Sequence, residues 1–99
     1  MIKGKIYISG KITGLEISEA QSKFKEAEFE LLRLELNPVN PMEHVPFNPD
    51  WEWKDYMLAD IALLFDCEAI YMLDNWGSSK GARIERQIAI EHGMRVLYQ

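Results

Sequence analysis

The fold is read from Lys5-Ile6-Tyr7-Ile8-Ser9-Gly10-Lys11-Ile12-Thr13-Gly14. Its first five residues form a short β-branched and aromatic run, the pattern of a buried strand. A loop with two glycines follows. Beyond it, Ala20, Phe24, Ala27, Leu31 and Leu34 recur at helical spacing. Ser18 and Gln21 fit a capping box, in which each side chain satisfies a backbone amide at the helix start. The helix is therefore expected from about Ser18, with Asn37-Pro38 ending it.

The same punctuation continues down the chain. Residues 37–50 hold all four prolines; Pro38-Val39-Asn40 reads as a short second strand and the rest as loop. Residues 51–65 read as a second helix and Glu68 to Leu73 as a third strand. The polar loop Asp74-Asn75-Trp76-Gly77-Ser78-Ser79 leads into a third helix, Lys80 to His92, with Gly93 as its C-terminal cap. Arg95-Val96-Leu97-Tyr98 is a final strand. The order β-α-β-α-β-α-β predicts an α/β protein, a three-layer Rossmann-like (flavodoxin-like) sandwich of about four parallel strands with helices on both faces. Such sheets bind ligands beyond the carboxyl ends of their strands. The Gly10–Gly14 and Asp74–Ser79 loops are expected there.

Length and composition narrow the function. Ninety-nine residues allow one domain, and 47% hydrophobic with 27% charged residues is ordinary for a globular chain. Eleven Lys plus Arg against sixteen Asp plus Glu leave a net charge of −5. That balance argues against gripping a polymeric nucleic acid, whose affinity comes from many cationic contacts. One small phosphorylated ligand remains compatible. Cys67 is the single cysteine, so no intrachain disulfide forms and no thiolate zinc site is expected. No run approaches the roughly 18 apolar residues of a membrane span. With no leader-like N-terminal stretch, the expected location is cytoplasmic.

Two carboxylates stand on faces that should be apolar. The second helix has a stripe at Trp53, Tyr56, Met57, Asp60, Ile61 and Leu64, interrupted by Asp60. The third has Gly81, Ile84, Glu85, Ile88, Ala89 and His92, interrupted by Glu85. A buried carboxylate is costly unless paired, hydrogen-bonded or protonated. The plain readings are that Glu85 favours the positive end of its helix dipole or pairs with a surface Arg or Lys, and that Asp60 edges its stripe. The functional reading is that both serve a ligand, because Glu85 follows directly from the loop at the ligand edge.

The loops admit two readings as well. Gly10 and Gly14 shape a turn, or they let backbone amides approach an anion at a helix start. The Walker ending is absent, which argues against an ATPase. Ser79-Lys80-Gly81 repeats the same small-polar chemistry. Trp76 either stacks on a base or packs in the core. His92 reads as a helix-capping cation and Cys67 as inert packing; His44 has no assignable role, and no pair suggests a metal site.

Taken together, these residues resemble the nucleoside 2-deoxyribosyltransferase superfamily. Tyr7-Ile8-Ser9-Gly10-Lys11-Ile12-Thr13-Gly14 resembles its first strand and loop. Ser79-Lys80-Gly81-Ala82-Arg83-Ile84-Glu85 with Ala89 and Gly93 resembles its nucleophile segment, and Asp60 falls where the superfamily carries a second acid. The Trp53, Tyr56, Met57, Asp60 pattern and Trp76-Gly77-Ser78-Ser79 look most like a short phage and bacterial branch without an established activity. The resemblance implies Glu85 as nucleophile, Asp60 for protons or sugar, and Tyr7 orienting Glu85. It implies 5′-phosphate binding by Gly10, Lys11, Ile12, Thr13, Ser79 and Gly81, with Gly14 in the same loop. It further implies a nucleoside or nucleotide substrate, no cofactor, no metal, and a homodimer or larger homo-oligomer. Lys11 and Lys80 favour a nucleotide hydrolase over a transferase. A non-catalytic nucleotide-binding module is the alternative.

Overall fold

The computed structural model describes residues 2–99. Strands β1 (Lys5–Ser9), β2 (Asn37–Val39), β3 (Ala69–Met72) and β4 (Arg95–Tyr98) form one sheet in the order β2-β1-β3-β4, and every neighbouring pair is parallel. Helices α1 (Ile17–Arg33), α2 (Pro41–His44), α3 (Trp53–Phe65) and α4 (Lys80–Glu91) and a 3-10 turn at Trp76–Ser78 join them. The protein is α/β, with a flavodoxin-like parallel sheet between helical layers, as the alternation predicts.

Alternation along β1 builds both layers. Ile6 and Ile8 face one side and pack with Phe24, Ala27 and Leu31 of α1. Tyr7 faces the other and joins Leu64 of α3 with Ala82 and Ala89 of α4. From β1 the sheet grows outward to β2 on one side and to β3 on the other. The crevice beyond the carboxyl ends of β1 and β3 is thus the topological switch point, where such sheets place their ligands. Gly10 leaves β1 at this point. A Cβ there would lie 2.6 Å from Leu73 Cδ1 and 2.9 Å from Leu73 Cβ. The residue is small because β1 and the end of β3 meet too closely for anything larger.

Helix ends differ from the expected ones in informative ways. The α1 N-cap is Glu16, with no side-chain cap hydrogen bond. Ser18 already lies inside the first turn, so the Ser18–Gln21 capping box does not form. Its serine would have to occupy the non-helical N-cap position. At the other end α1 stops at Arg33, before Asn37-Pro38. The amides of Glu35 and Leu36 donate to the carbonyls of Leu32 and Leu31, and Glu35 takes φ 59°. This is a Schellman closure with a non-glycine residue in the left-handed position. Leu34, expected in the apolar stripe, is the C-cap and is 64% exposed.

The Pro-rich segment is not all loop. Asn40 caps the one-turn helix α2 by accepting the Met42 amide at 3.0 Å, with Pro41 at the first helical position. Helix α3 begins at Trp53, two residues later than expected, because Glu52 is extended and its amide donates to Asp55 Oδ2 at 2.8 Å. Gly93 caps α4 as expected: it takes φ 78°, and the amides of Gly93 and Met94 donate to Ile90 and Ala89. His92, placed in the α4 stripe by spacing, is exposed at the C-cap. Among the described residues no helix is long and apolar enough to cross a membrane.

Candidate functional site

A cavity of about 730 Å³ opens at the switch point. Strand β1 supplies Tyr7, and the loop after it supplies Gly10, Ile12 and Thr13. Helix α3 supplies Trp53, Tyr56, Met57 and Asp60; α4 and its entry supply Ser79, Lys80, Gly81 and Glu85. The rest of the wall is mostly apolar, from Ile17, Phe24, Met42, Val45 and Phe47, with Gln21 between Ile17 and Phe24 on α1.

Glu85 is 4% exposed, and both of its oxygens accept hydroxyl hydrogen bonds. Tyr7 Oη donates to Oε2 at 2.7 Å and Ser9 Oγ to Oε1 at 2.6 Å. Burial pushes the Glu85 carboxyl up to about 7; the two hydroxyls pull it down, and the charge of Asp60 adds to the rise. Burial likewise pushes Asp60 up to about 7. The two carboxyls face one cavity from different helices, and both change charge near neutral pH. Burial first, then the charges of Glu85 and Asp60, holds the Tyr7 hydroxyl well above its ordinary value. Tyr7 therefore stays a donor.

The rim is organised by the start of α4. Ser79 is its N-cap, and its Oγ accepts the Ala82 amide at 3.1 Å. The amides of Lys80 and Gly81 lie in the first turn, where no intrahelical acceptor exists. A Cβ on Gly81 would sit 3.1 Å from Met57 Sδ, so glycine lets α4 and α3 close around the cavity. Lys80 Nζ lies 4.8 Å from the centroid of the Trp53 ring, a cation–π contact that holds the ammonium at the mouth.

The structure brings together Tyr7, Gly10, Ile12, Thr13, Asp60, Ser79, Gly81 and Glu85 on one cavity. It does not bring in Lys11, Gly14 or Trp76. The Lys11 amide donates to Asn75 Oδ1 at 3.0 Å, tying the two loops together. The Lys11 side chain runs beside Gly14, which takes φ 95°. Trp76 packs against the core beneath the Arg86 guanidinium, 4.8 Å from its ring, and beside Tyr98. The aromatic side chains on the cavity are instead Tyr7, Phe24, Phe47, Trp53 and Tyr56. Arg83, near the start of α4, donates to the Gly77 carbonyl at 2.9 Å.

Sequence reasoning missed Ser9 and the apolar wall. The signal for Ser9 was its period-two spacing from Tyr7 on one strand. Ile17 and Phe24 of the wall belong to α1, while Met42, Val45 and Phe47 come from α2 and the loop after it, whose placement is tertiary. Tyr56 straps that loop: its hydroxyl donates to the Asn48 carbonyl and accepts the Asn48 amide, both at 2.8 Å.

Cys67 donates to the Leu63 carbonyl, and burial pushes its thiol up to about 11, an unreactive setting. Among the described residues no group of three or more His, Cys, Asp or Glu side chains is placed to hold a metal ion.

The fold and site define a parallel α/β protein with two converging carboxyls in a switch-point cavity. Residues 4–98 match the family model described as a domain of unknown function, DUF4406, and the chain belongs to that family. No curated protein matches the chain.

Proposed function

We propose that this protein cleaves the N-glycosidic bond of a (deoxy)nucleotide, in the manner of the nucleoside 2-deoxyribosyltransferase superfamily. The observation that carries the reading is the convergence of Glu85 and Asp60 on one cavity, with Glu85 buried and held by Tyr7. In the first step a Glu85 oxygen bonds to the anomeric carbon. The carbon–nitrogen bond breaks, its electron pair leaves with the base, and protonated Asp60 gives the base its proton. In the second step Asp60 takes a proton from water as the water oxygen attacks the same carbon, which releases the sugar phosphate and restores Glu85. A near-neutral titration suits both duties of Asp60.

Lys80 and the first-turn amides of α4 favour a 5′-phosphate, with Thr13 and Ser79 lining the same cavity. The apolar wall offers a place for the base. Hydrolysis is favoured over transfer, and no organic cofactor or metal takes part. The same reading places the protein in the cytoplasm as a homodimer or larger homo-oligomer, and the exposed Leu58 and Phe65 of α3 suit such an association.

The test is to incubate the protein with deoxynucleoside monophosphates and follow free base. Wild type is expected to release base, and Glu85→Ala to fall to background. Equal background release from both overturns the reading. Retention of an intact nucleotide by both proteins makes this a binding module instead.

A further inference from the structure

Ser9 is a buried polar residue on the Glu85 carboxylate that the reaction above leaves without a task. It is 1% exposed and closes β1 two residues after Tyr7, on the same face. Strand β1 lies inside the sheet; Tyr7 registers with Val39 and Ile70, and Ser9 with Met72. Both hydroxyls are therefore mounted on a rigid support. They meet a carboxylate that arrives from α4 and take one oxygen each. The 2.6 Å contact from Ser9 has the length of a hydroxyl bonded to a charged acceptor.

The last torsion of a glutamate side chain is soft, so one hydrogen bond leaves the carboxylate free to turn. Two donors from one strand, one to each oxygen, remove that freedom. An ionised carboxylate has about four acceptor positions, and the ones left over are those available to the cavity. We propose that Ser9 is a positioning residue for Glu85, its hydroxyl setting the rotation of the carboxylate together with that of Tyr7. Its kinetic consequence rests on Glu85 being the nucleophile; its placement of the carboxylate does not.

The experiment is a ¹³C NMR titration of the Glu85 carboxyl in wild type, Ser9→Ala and Ser9→Thr, assigned with Glu85→Gln. Glu85 is expected to titrate about one pH unit or more higher in Ser9→Ala, where a donor to the charged form is lost. Ser9→Thr, which keeps the hydroxyl, is expected to return close to wild type. In wild type itself, the Ser9 Cβ and hydroxyl signals should move with the Glu85 midpoint and lose that response in Glu85→Gln. In base release, Ser9→Ala is expected to lower kcat about tenfold or more and leave KM within about twofold. An unmoved Glu85 midpoint in Ser9→Ala, or Ser9 signals blind to Glu85 in wild type, overturns the proposal. A shifted midpoint with an unchanged kcat overturns its kinetic part. A shifted midpoint in a protein that releases no base sinks the reaction and keeps the positioning role.

Discussion

The hydroxyl of Tyr7, at the centre of β1, donates to Oε2 of Glu85, 78 residues further along the chain, at 2.7 Å. It joins the central strand to the last helix across the wall of the cavity. Removing it with Tyr7→Phe keeps the ring and leaves Glu85 with one donor. The expected cost is about 1–3 kcal/mol where Glu85 is charged and less where it is protonated. Urea denaturation at pH 8.5 and pH 5.5 checks this; equal losses at the two pH values would show that the bond does not depend on the charge.

Glu85 and Asp60 both carry folded-state pKa values raised to about 7. A raised carboxyl holds its proton in the folded state at pH values where the unfolded chain has lost it. Stability from these groups is therefore full below the ordinary carboxyl range and declines as pH rises from about 4 to about 7. For Glu85 the decline amounts to roughly 3 kcal/mol. The expected outcome is a protein more stable at pH 5 than at pH 8, and Asp60→Asn should flatten that slope and raise stability at pH 8. Chemical denaturation across this range measures both, and a stability that climbs with pH between 5 and 8 in wild type would contradict the assignment.

Gly10→Ala places a methyl 2.6 Å from Leu73 Cδ1, and Leu73 is 1% exposed. Little can yield there, so a loss of about 1–3 kcal/mol is expected. On a Leu73→Ala background the same substitution should cost much less, because the obstructing atoms are gone. A double-mutant cycle in urea reads the difference.

Glu35 holds φ 59° at the closure of α1. A non-glycine residue there is strained by about 1 kcal/mol. Glu35→Gly is expected to stabilise the protein by up to about that amount, offset by the greater freedom of glycine in the unfolded chain. Thermal unfolding should show a rise of a few degrees; a fall would mean that the Glu35 side chain contributes more than its backbone costs.

Much of the fold was legible because parallel sheets write themselves in period and punctuation. The run Ile6-Tyr7-Ile8 and the spacing of Ala20, Phe24, Ala27 and Leu31 in α1 recur in the structure as buried positions. Gly93 marked its helix end through the left-handed conformation that favours glycine. The errors lie where several residues could serve the same local role. Ser18 looked like an N-cap, yet Glu16 holds that position, and α1 closes through Glu35 with no glycine to announce it.

The candidate site divides in the same way. Asp60 and Glu85 stood out in the sequence because each breaks an apolar stripe, which is a one-dimensional signal. By itself the sequence determined the α/β alternation, the two anomalous carboxyls and the loops at the carboxyl edge of the sheet. Only the tertiary structure decided that these carboxyls share a cavity, that Ser9 takes the second oxygen of Glu85, and that Trp76 sits under Arg86 instead of facing a ligand. The physical reason is range. Hydrophobic period and turn chemistry act over a few residues, whereas the contacts of Glu85 with Tyr7 and Ser9 span 78 and 76 residues and exist only once α4 has packed against β1.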